Sequence, residues 1–290
     1  TVIGGGVIGV ELASVYHTFG TEIQIVEALP AILPNMDGEL AQILRKRMEK
    51  QGIKIMTDSR VVSIEEKGSM AIVEVEKDGK KQKIETEIVL VAVGRRASTE
   101  SLNLDKAGIR SEKGKILTDD HLMTNVPDVY AIGDCLGKVM LAHTASAQGE
   151  IAAENIMGHE AVYDERTCPS CIYTELEFAG VGLTEEQAKA AKIDYQAGRF
   201  PMMANGKSLI MNGGEGMIKV LLGKEYKEIL GVHILAPRAT DMIGECALAI
   251  GMEATAEDVE AVIHAHPTVS EALREAVMAA DKHAIHIFEK

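Results

Sequence analysis

The sequence has few of the residues that mark disulfide-stapled, membrane-spanning or nucleic-acid-binding proteins. It contains four cysteines and no tryptophan in 290 residues, and 3% of its residues are aromatic. Four cysteines do not make a disulfide framework and favour a reducing, cytoplasmic location. No apolar run approaches the roughly 20 residues of a membrane span. Thirty Lys and Arg face 44 Asp and Glu, and the resulting net charge of −14 disfavours nucleic acid as a partner.

The remaining composition is that of a globular protein. Hydrophobic residues make up 46% of the chain and charged residues 26%, which is enough for roughly two domains with real cores. The chain opens on the short apolar run Thr1-Val2-Ile3, without an initiator Met. Since a strand normally has about five or six residues, we expect this sequence to be a fragment or processed product of a longer protein.

The order of predicted elements divides the chain into three segments. Residues 1–96 alternate strands and helices, which predicts a parallel sheet with right-handed crossovers, and Asp78-Gly79 predicts a hairpin between two strands. Residues 97–164 are less regular, with a strand predicted at 129–132 and a helix at 145–157. Residues 165–290 suggest an α+β domain that ends in two helices. The other predicted elements are strands at 1–3, 22–26, 54–57, 71–77, 82–86, 87–93, 216–222 and 228–235, and helices at 7–19 and 39–51.

A glycine-rich loop follows the first strand and opens the first helix. It matches G-x-G-x-x-G in the context that gives this pattern its meaning. Its first glycine permits a tight turn, the second lets a pyrophosphate approach the backbone, and the third lets helix and strand pack closely. The helix N-terminus adds partial positive charge. An ordinary glycine turn is the alternative. The predicted cofactor-binding residues of the loop are Gly4, Gly5, Gly6, Val7, Ile8 and Gly9.

An acidic residue ends the second strand, where it would accept hydrogen bonds from a ribose 2′-hydroxyl. This residue is Glu27, 18 residues after Gly9. No Arg follows it in residues 28–34 to neutralise a 2′-phosphate, so the pattern favours NAD over NADP. A solvated Glu at a strand end is the alternative. Glu11, which the pattern puts in the first helical turn, is a further candidate cofactor contact, or it simply favours the helix dipole.

A second pattern, in residues 124–134, consists of a turn, an apolar strand and Gly133-Asp134. It resembles the second flavin-binding motif of the flavoprotein disulfide reductases that have two dinucleotide folds. The resemblance implies that Asp134 accepts a hydrogen bond from the ribityl chain of FAD. It also implies that a short stretch before the next helix lies against the flavin, with backbone N–H groups facing its pyrimidine carbonyl. An Asp that caps a turn is the alternative. The stretch comprises Met140, Leu141, Ala142 and His143.

Two further positions follow from the same resemblance. Gly94-Arg95-Arg96 is similar to the V-G-R-x junction at which the family's chain leaves the NAD domain, and this places Gly94 near the nicotinamide. Val61, after the third strand, aligns loosely with a backbone contact to adenine.

The stretch from His264 to Glu271, HAHPTVSE, is the most informative of the sequence. Thr268 and Glu271 have capping-box spacing before a helix predicted at 272–280, and capping alone would explain both. Capping does not explain His266, whose backbone the following Pro267 restricts. The stretch resembles the H-x-H-P-T-x-S-E signature of dihydrolipoamide dehydrogenases at every fixed position.

This resemblance implies a fold and an activity. The fold class is α/β, with a Rossmann-type NAD-binding domain (1–96), part of an FAD-binding domain (97–164) and a C-terminal α+β dimerisation domain (165–290). His266 would be the acid/base and Glu271 would orient it. The active site would need a homodimer, because this His reaches the flavin and disulfide of the other subunit. His264 would be structural.

The full-length protein would oxidise dihydrolipoyl groups, with electrons passing through a redox disulfide and FAD to NAD. Its partners would be lipoyl domains of 2-oxoacid dehydrogenase or glycine cleavage complexes. The family's C-x4-C disulfide and first G-x-G-x-x-G are absent and are expected to precede Thr1. We therefore expect this chain alone to be inactive. The alternatives are a related NAD(P)H-dependent disulfide reductase and a non-catalytic NAD-binding, dimerising fragment.

Cys168-Pro169-Ser170-Cys171 has a spacing that can mark a zinc or thiol–disulfide site. Zinc would need a second pair, which Cys135 and Cys246 do not supply in sequence, so no metal site is predicted. Buried thiols that act as small hydrophobes are the favoured interpretation.

Overall fold

A computed structural model describes residues 1–288, and their contacts form two compact units. One unit joins residues 1–93 to the chain from residue 169 onward, and the other comprises residues 94–168. The division into domains 1–96, 97–164 and 165–290 remains a prediction.

The N-terminal segment builds a parallel sheet with the spatial order β3 (Lys54–Met56), β2 (Gln24–Val26), β1 (Val2–Ile3) and β7 (Leu90–Val91), and helices connect β1 to β2 and β2 to β3. Asp37 begins the second helix by accepting hydrogen bonds from the N–H groups of Glu39 and Leu40, each at 3.1 Å, and Gly52, with φ +106°, ends it. The elements are β1 (Val2–Ile3), α1 (Val7–Thr18), β2 (Gln24–Val26), α2 (Gly38–Gln51), β3 (Lys54–Met56), β4 (Arg60–Lys67), β5 (Met70–Lys77), β6 (Lys80–Thr86) and β7 (Leu90–Val91).

Strands β4, β5 and β6 form a separate antiparallel sheet. The predicted hairpin is confirmed, because Asp78 and Gly79 both have positive φ and join β5 to β6. Strand β4 was not expected from the sequence, because it is largely exposed and ends in a charged run that gives little apolar alternation. The strand predicted at 87–93 is too long, since the paired residues are those of β7 alone.

The unit of residues 94–168 holds β8 (Ser111–Glu112), β9 (Lys115–Ile116) and α3 (Ala142–Ile156). The strand predicted at 129–132 is wrong. That run makes a single bridge, between Met123 and Tyr130, and no strand of the described residues forms a ladder with it. Its apolar residues instead pack in a small hydrophobic core, in which Ala131 is buried.

The last segment folds into a five-stranded antiparallel sheet with helices packed on it, as the α+β prediction requires. The strands lie in the spatial order β10 (Ser170–Ile172), β11 (Phe178–Gly182), β14 (Ile229–Leu235), β13 (Met217–Gly223) and β12 (Tyr195–Pro201). Thr184 and Gln187 form a capping box, and within the described residues three helices rather than two follow the last strand. The elements are β10 (Ser170–Ile172), β11 (Phe178–Gly182), α4 (Glu185–Ala190), β12 (Tyr195–Pro201), α5 (Gly206–Asn212), β13 (Met217–Gly223), β14 (Ile229–Leu235), α6 (Ala239–Gly251), α7 (Ala256–Ala261) and α8 (Glu271–Ala280).

Helix α8 lies very close to β12. A Cβ on Gly198 would come within 2.0 Å of the Ala276 carbonyl oxygen, so glycine is needed there. The first residue of α8 is Glu271, and this close packing fixes the start of the helix relative to the sheet.

A buried lysine forms ion pairs between the five-stranded antiparallel sheet and the start of α2. Lys219 on β13 is 1% exposed, and its Nζ lies 2.8 Å from Asp37, 3.1 Å from Glu39 and 2.6 Å from Glu185. Arg199 bridges Glu39 and Glu185 beside it.

Parallel and antiparallel sheets with helices confirm the α/β class. Among residues 1–288, no helix is both long and apolar enough to cross a membrane.

Candidate functional site

The glycine loop has the geometry that its sequence predicts. Gly4 has φ +106°, and a Cβ there would lie 2.3 Å from the Ala92 carbonyl oxygen. A Cβ on Gly9 would lie 2.0 Å from the Gly4 carbonyl oxygen, so the third glycine permits close packing of α1. At Gly6, by contrast, a Cβ would meet no atom within 4 Å. Open space therefore lies in front of the α1 N-terminus, where a pyrophosphate would fit.

The structure brings Glu27 directly to this loop. Its side chain accepts hydrogen bonds from the N–H groups of Gly5, at 2.5 Å, and Leu29, at 2.7 Å. Glu27 is 8% exposed, so a solvated strand-end Glu is not what the structure contains. Each carboxylate oxygen can accept more than one hydrogen bond, and acceptor capacity for a ribose hydroxyl is left after the two backbone bonds.

The other residues predicted for NAD lie in different surroundings. Glu11 is the fifth residue of α1, not part of its first turn, and it accepts a 2.8 Å hydrogen bond from the Tyr173 N–H group. Val61 pairs with Val75 in the β4–β5 ladder, directly before a register shift. Gly94 is exposed, has φ +113° and belongs to the unit of residues 94–168.

Asp134 lies in a short turn, and its side chain is 51% exposed. One of its oxygens accepts a 2.9 Å hydrogen bond from Arg95, which also donates to the Met140 carbonyl oxygen. In the sequence, Arg95 is only part of the Gly94-Arg95-Arg96 junction. The structure shows that its guanidinium holds two of the residues predicted to face the flavin.

The start of α3 carries no side-chain cap. Leu141 is the N-cap and provides no side-chain cap bond, while Ala142 and His143 are exposed in the first turn. Behind them, buried Gln148 accepts a 2.7 Å hydrogen bond from the Gly133 N–H group and so fixes the turn that carries Asp134. An acceptor carboxylate and a helix N-terminus suit the ribityl and pyrimidine groups that the sequence predicts.

The second cluster of predicted residues is the loop between α7 and α8, which carries His266. The His266 ring is 78% exposed, and its Nδ1 lies 2.9 Å from Oε2 of Glu271. The other oxygen of Glu271 accepts from the Thr268 N–H group at 3.2 Å, and Thr268 Oγ1 accepts in return from the Glu271 N–H group at 3.3 Å. Glu271 thus closes the turn before α8 and holds the imidazole at the same time.

This arrangement defines which ring nitrogen can do chemistry. A carboxylate at Nδ1 favours the tautomer that carries its proton there, which leaves Nε2 as a basic nitrogen. Two residues earlier, the His264 side chain is 6% exposed and its Nε2 lies 2.8 Å from Glu245, as expected of a structural histidine. The two histidines of the signature therefore differ in exposure and in partner.

None of the four cysteines forms a disulfide bond, and only Cys246 among them is fully buried. Burial raises the pKa of the Cys246 thiol. Cys168 is half-buried, with its sulfur 2.9 Å from Thr144 Oγ1, and Cys171 is half-buried against the core of the last segment. The prediction of buried thiols at 168 and 171 is therefore wrong in degree, because both are partly accessible.

Fold and sites together define an α/β protein with a dinucleotide-type glycine loop and an exposed His–Glu pair. Residues 1–149 match the pyridine nucleotide-disulphide oxidoreductase family, and residues 168–277 match the dimerisation domain of that family. The chain belongs to the pyridine nucleotide-disulphide oxidoreductase family.

Three known proteins illustrate the similarity. A dihydrolipoyl dehydrogenase of Thermus scotoductus is 44% identical over 100% of this chain and 63% of its own length. LpdA of Mycobacterium tuberculosis has a TM-score of 0.88 at 25% identity over 95% of this chain and 60% of that one. A copper complex of the HOCl-induced flavoprotein disulfide reductase RclA of Escherichia coli has a TM-score of 0.86 at 26% identity, covering 95% and 62%. The chain spans about three fifths of the length of these proteins.

Proposed function

We propose that this chain is the NAD-binding, partial FAD-binding and dimerising portion of a cytoplasmic dihydrolipoyl dehydrogenase. In the whole enzyme, a dihydrolipoyl dithiol loses two electrons and two protons, NAD⁺ takes up a hydride, and one proton is released. FAD, when bound, supplies the electron carrier between the redox disulfide and NAD. Lipoyl domains are the proposed partners, and a second copy of the chain completes the site.

The observation that carries this proposal is the His266–Glu271 pair. A thiol with an ordinary pKa near 8.5 is mostly protonated at neutral pH, and a neutral imidazole can accept its proton. Glu271 pairs with Nδ1 of the exposed ring, and this supports Nε2 as the nitrogen that takes the proton from a dihydrolipoyl thiol. The 44% identity to a dihydrolipoyl dehydrogenase supports this substrate over other disulfides.

The test adds the portion of the Thermus relative that this chain does not span. The N-terminal portion of the Thermus relative is joined to Thr1, and NADH formation from dihydrolipoamide and NAD⁺ is measured for this chimera and for the chain alone. We expect turnover and a bound flavin, seen in the absorption spectrum, in the chimera and no turnover in the chain alone.

Two results would contradict the proposal. A flavin-containing chimera that turns over another disulfide but not dihydrolipoamide would identify a sister reductase, a class represented by RclA. A chimera that binds flavin and NAD but turns over neither substrate would favour a non-catalytic NAD-binding, dimerising protein.

Glu27→Gln is expected to weaken NAD⁺ binding to the chain by about tenfold, because a neutral amide is a poorer acceptor for a ribose hydroxyl than a carboxylate. NADP⁺ binding should not weaken, since the charge that repels its 2′-phosphate is removed. Isothermal titration calorimetry with both nucleotides measures this ratio. Glu22→Gln, an exposed Glu just before β2, is the matched control. An unchanged NAD⁺ affinity in Glu27→Gln would show that this carboxylate serves only the loop.

A further inference from the structure

Asn205 lies outside the predicted site, yet both ends of its side chain are engaged. Its Oδ1 accepts a 2.8 Å hydrogen bond from the Ser208 N–H group and so caps α5. Its Nδ2 donates to the carbonyl oxygen of Thr268, at 3.0 Å, on the loop that carries His266. Asn205 is 4% exposed, so its side chain follows the rule that buried polar groups are hydrogen-bonded: its oxygen and its nitrogen each have a partner within the protein.

The loop around His266 has few other points of attachment. Val269 is buried in the core, and His264 pairs with Glu245, whereas the side chains of Ala265, His266 and Pro267 are exposed. Between those two anchors, the Thr268 peptide units are held by Asn205 on the carbonyl side and by Glu271 on the N–H side.

This geometry has a consequence for His266. Glu271 divides its two oxygens between the Thr268 N–H group and His266 Nδ1. A shift of Thr268 would therefore move the carboxylate that selects the tautomer of the imidazole. The Asn205 amide opposes such a shift through a bond to a residue 63 positions away.

We propose that Asn205 is a positioning residue for His266, acting through Thr268 and Glu271 to keep the Nδ1-protonated tautomer and a basic Nε2. Its importance for turnover depends on the proposed role of His266 as the acid/base, but its effect on the imidazole does not. Asn205 thereby links the N-terminus of α5 to the proposed catalytic loop.

Capping and positioning are separated by substitution. Asn205→Ser keeps an oxygen that can cap α5, because Ser is as good an N-cap as Asn, but loses the amide donor. Asn205→Asp also keeps a cap oxygen and lacks the donor. The matched control is Asn212→Ser at the other end of α5, where the amide donates to the Glu215 carbonyl oxygen and accepts from the Gly214 N–H group.

The experiment records ¹⁵N NMR spectra of the uniformly ¹⁵N-labelled chain, which report both the histidine rings and the backbone amides, with the His266 ring assigned by its loss in His266→Gln. In Asn205→Ser, we expect the ratio of the Nδ1-H to the Nε2-H tautomer to fall about fivefold, which is the change in an equilibrium constant that one ordinary hydrogen bond produces. Exchange of the Thr268 amide hydrogen should accelerate by a similar factor. The Ser208 amide, protected by the cap, reports whether α5 remains intact.

Unchanged tautomer populations in both Asn205 variants would overturn the proposal, as would equal changes in Asn212→Ser. If Asn205→Ser also exposes the Ser208 amide, Asn205→Asp decides the matter, because its longer side chain restores the cap without the donor. An active chimera carrying His266→Gln would refute the proposed function, yet it would leave the tautomer measurement, and therefore Asn205, to be judged separately.

Discussion

Replacing His266 by Gln in the chimera is expected to lower kcat for dihydrolipoamide oxidation by about 10²–10⁴-fold, the usual contribution of a positioned general acid/base. The variant should keep its flavin and its affinity for NAD⁺, because the ring is exposed and contacts Glu271 rather than the glycine loop. Steady-state kinetics with saturating NAD⁺, together with a flavin spectrum, measure both.

The matched control for this experiment is His283→Gln. His283 is also a partly exposed histidine paired with a carboxylate, since its Nε2 lies 3.1 Å from Glu260, but it lies after α8 and not in the His266 loop. Its replacement should leave kcat unchanged. A His266→Gln enzyme within threefold of the parent would remove His266 from the catalytic machinery, whatever the control shows.

The sequence was sufficient for features that depend on local rules. A G-x-G-x-x-G pattern between a strand and a helix required close packing at Gly9, and an Asp-Gly pair required a turn with positive φ. Both are present. The apolar run at 129–132 shows the limit of such rules, because burial and strand pairing are different requirements and this run meets the first without the second.

The site shows the same division between local and distant contacts. The pairing of His266 with Glu271 spans five residues and follows a recognisable signature. Arg95 reaches Asp134 across 39 residues, and Asn205 reaches Thr268 across 63. No periodicity or spacing in one sequence reveals such contacts, because they depend on how separate elements pack.

Lys219→Met is expected to destabilise the unit that contains it by about 3–5 kcal/mol at pH 7, the usual cost of removing one partner of a buried ion pair. The substitution keeps most of the side-chain volume but leaves the fully buried Asp37, together with Glu185, without its Nζ partner. Urea unfolding followed by hydrogen exchange at the β13 amides measures the loss in the relevant unit. Lys224→Met, an exposed lysine directly after β13, should change stability by less than about 0.5 kcal/mol.

The pH dependence of stability distinguishes an electrostatic effect of Lys219→Met from a simple loss of packing. Burial raises the pKa of the Glu185 carboxyl, but hydrogen bonds from Lys219, Lys189 and Tyr195 outweigh burial and lower the pKa to about 2. The folded state therefore gains stability from this carboxylate above its ordinary pKa of 4.5 and loses it as pH falls towards 2. Without Lys219 much of that gain is absent, so the difference between parent and Lys219→Met should shrink between pH 7 and pH 3. A difference that stays constant over this range would assign the effect to packing, because the volume that Lys219 fills does not depend on pH.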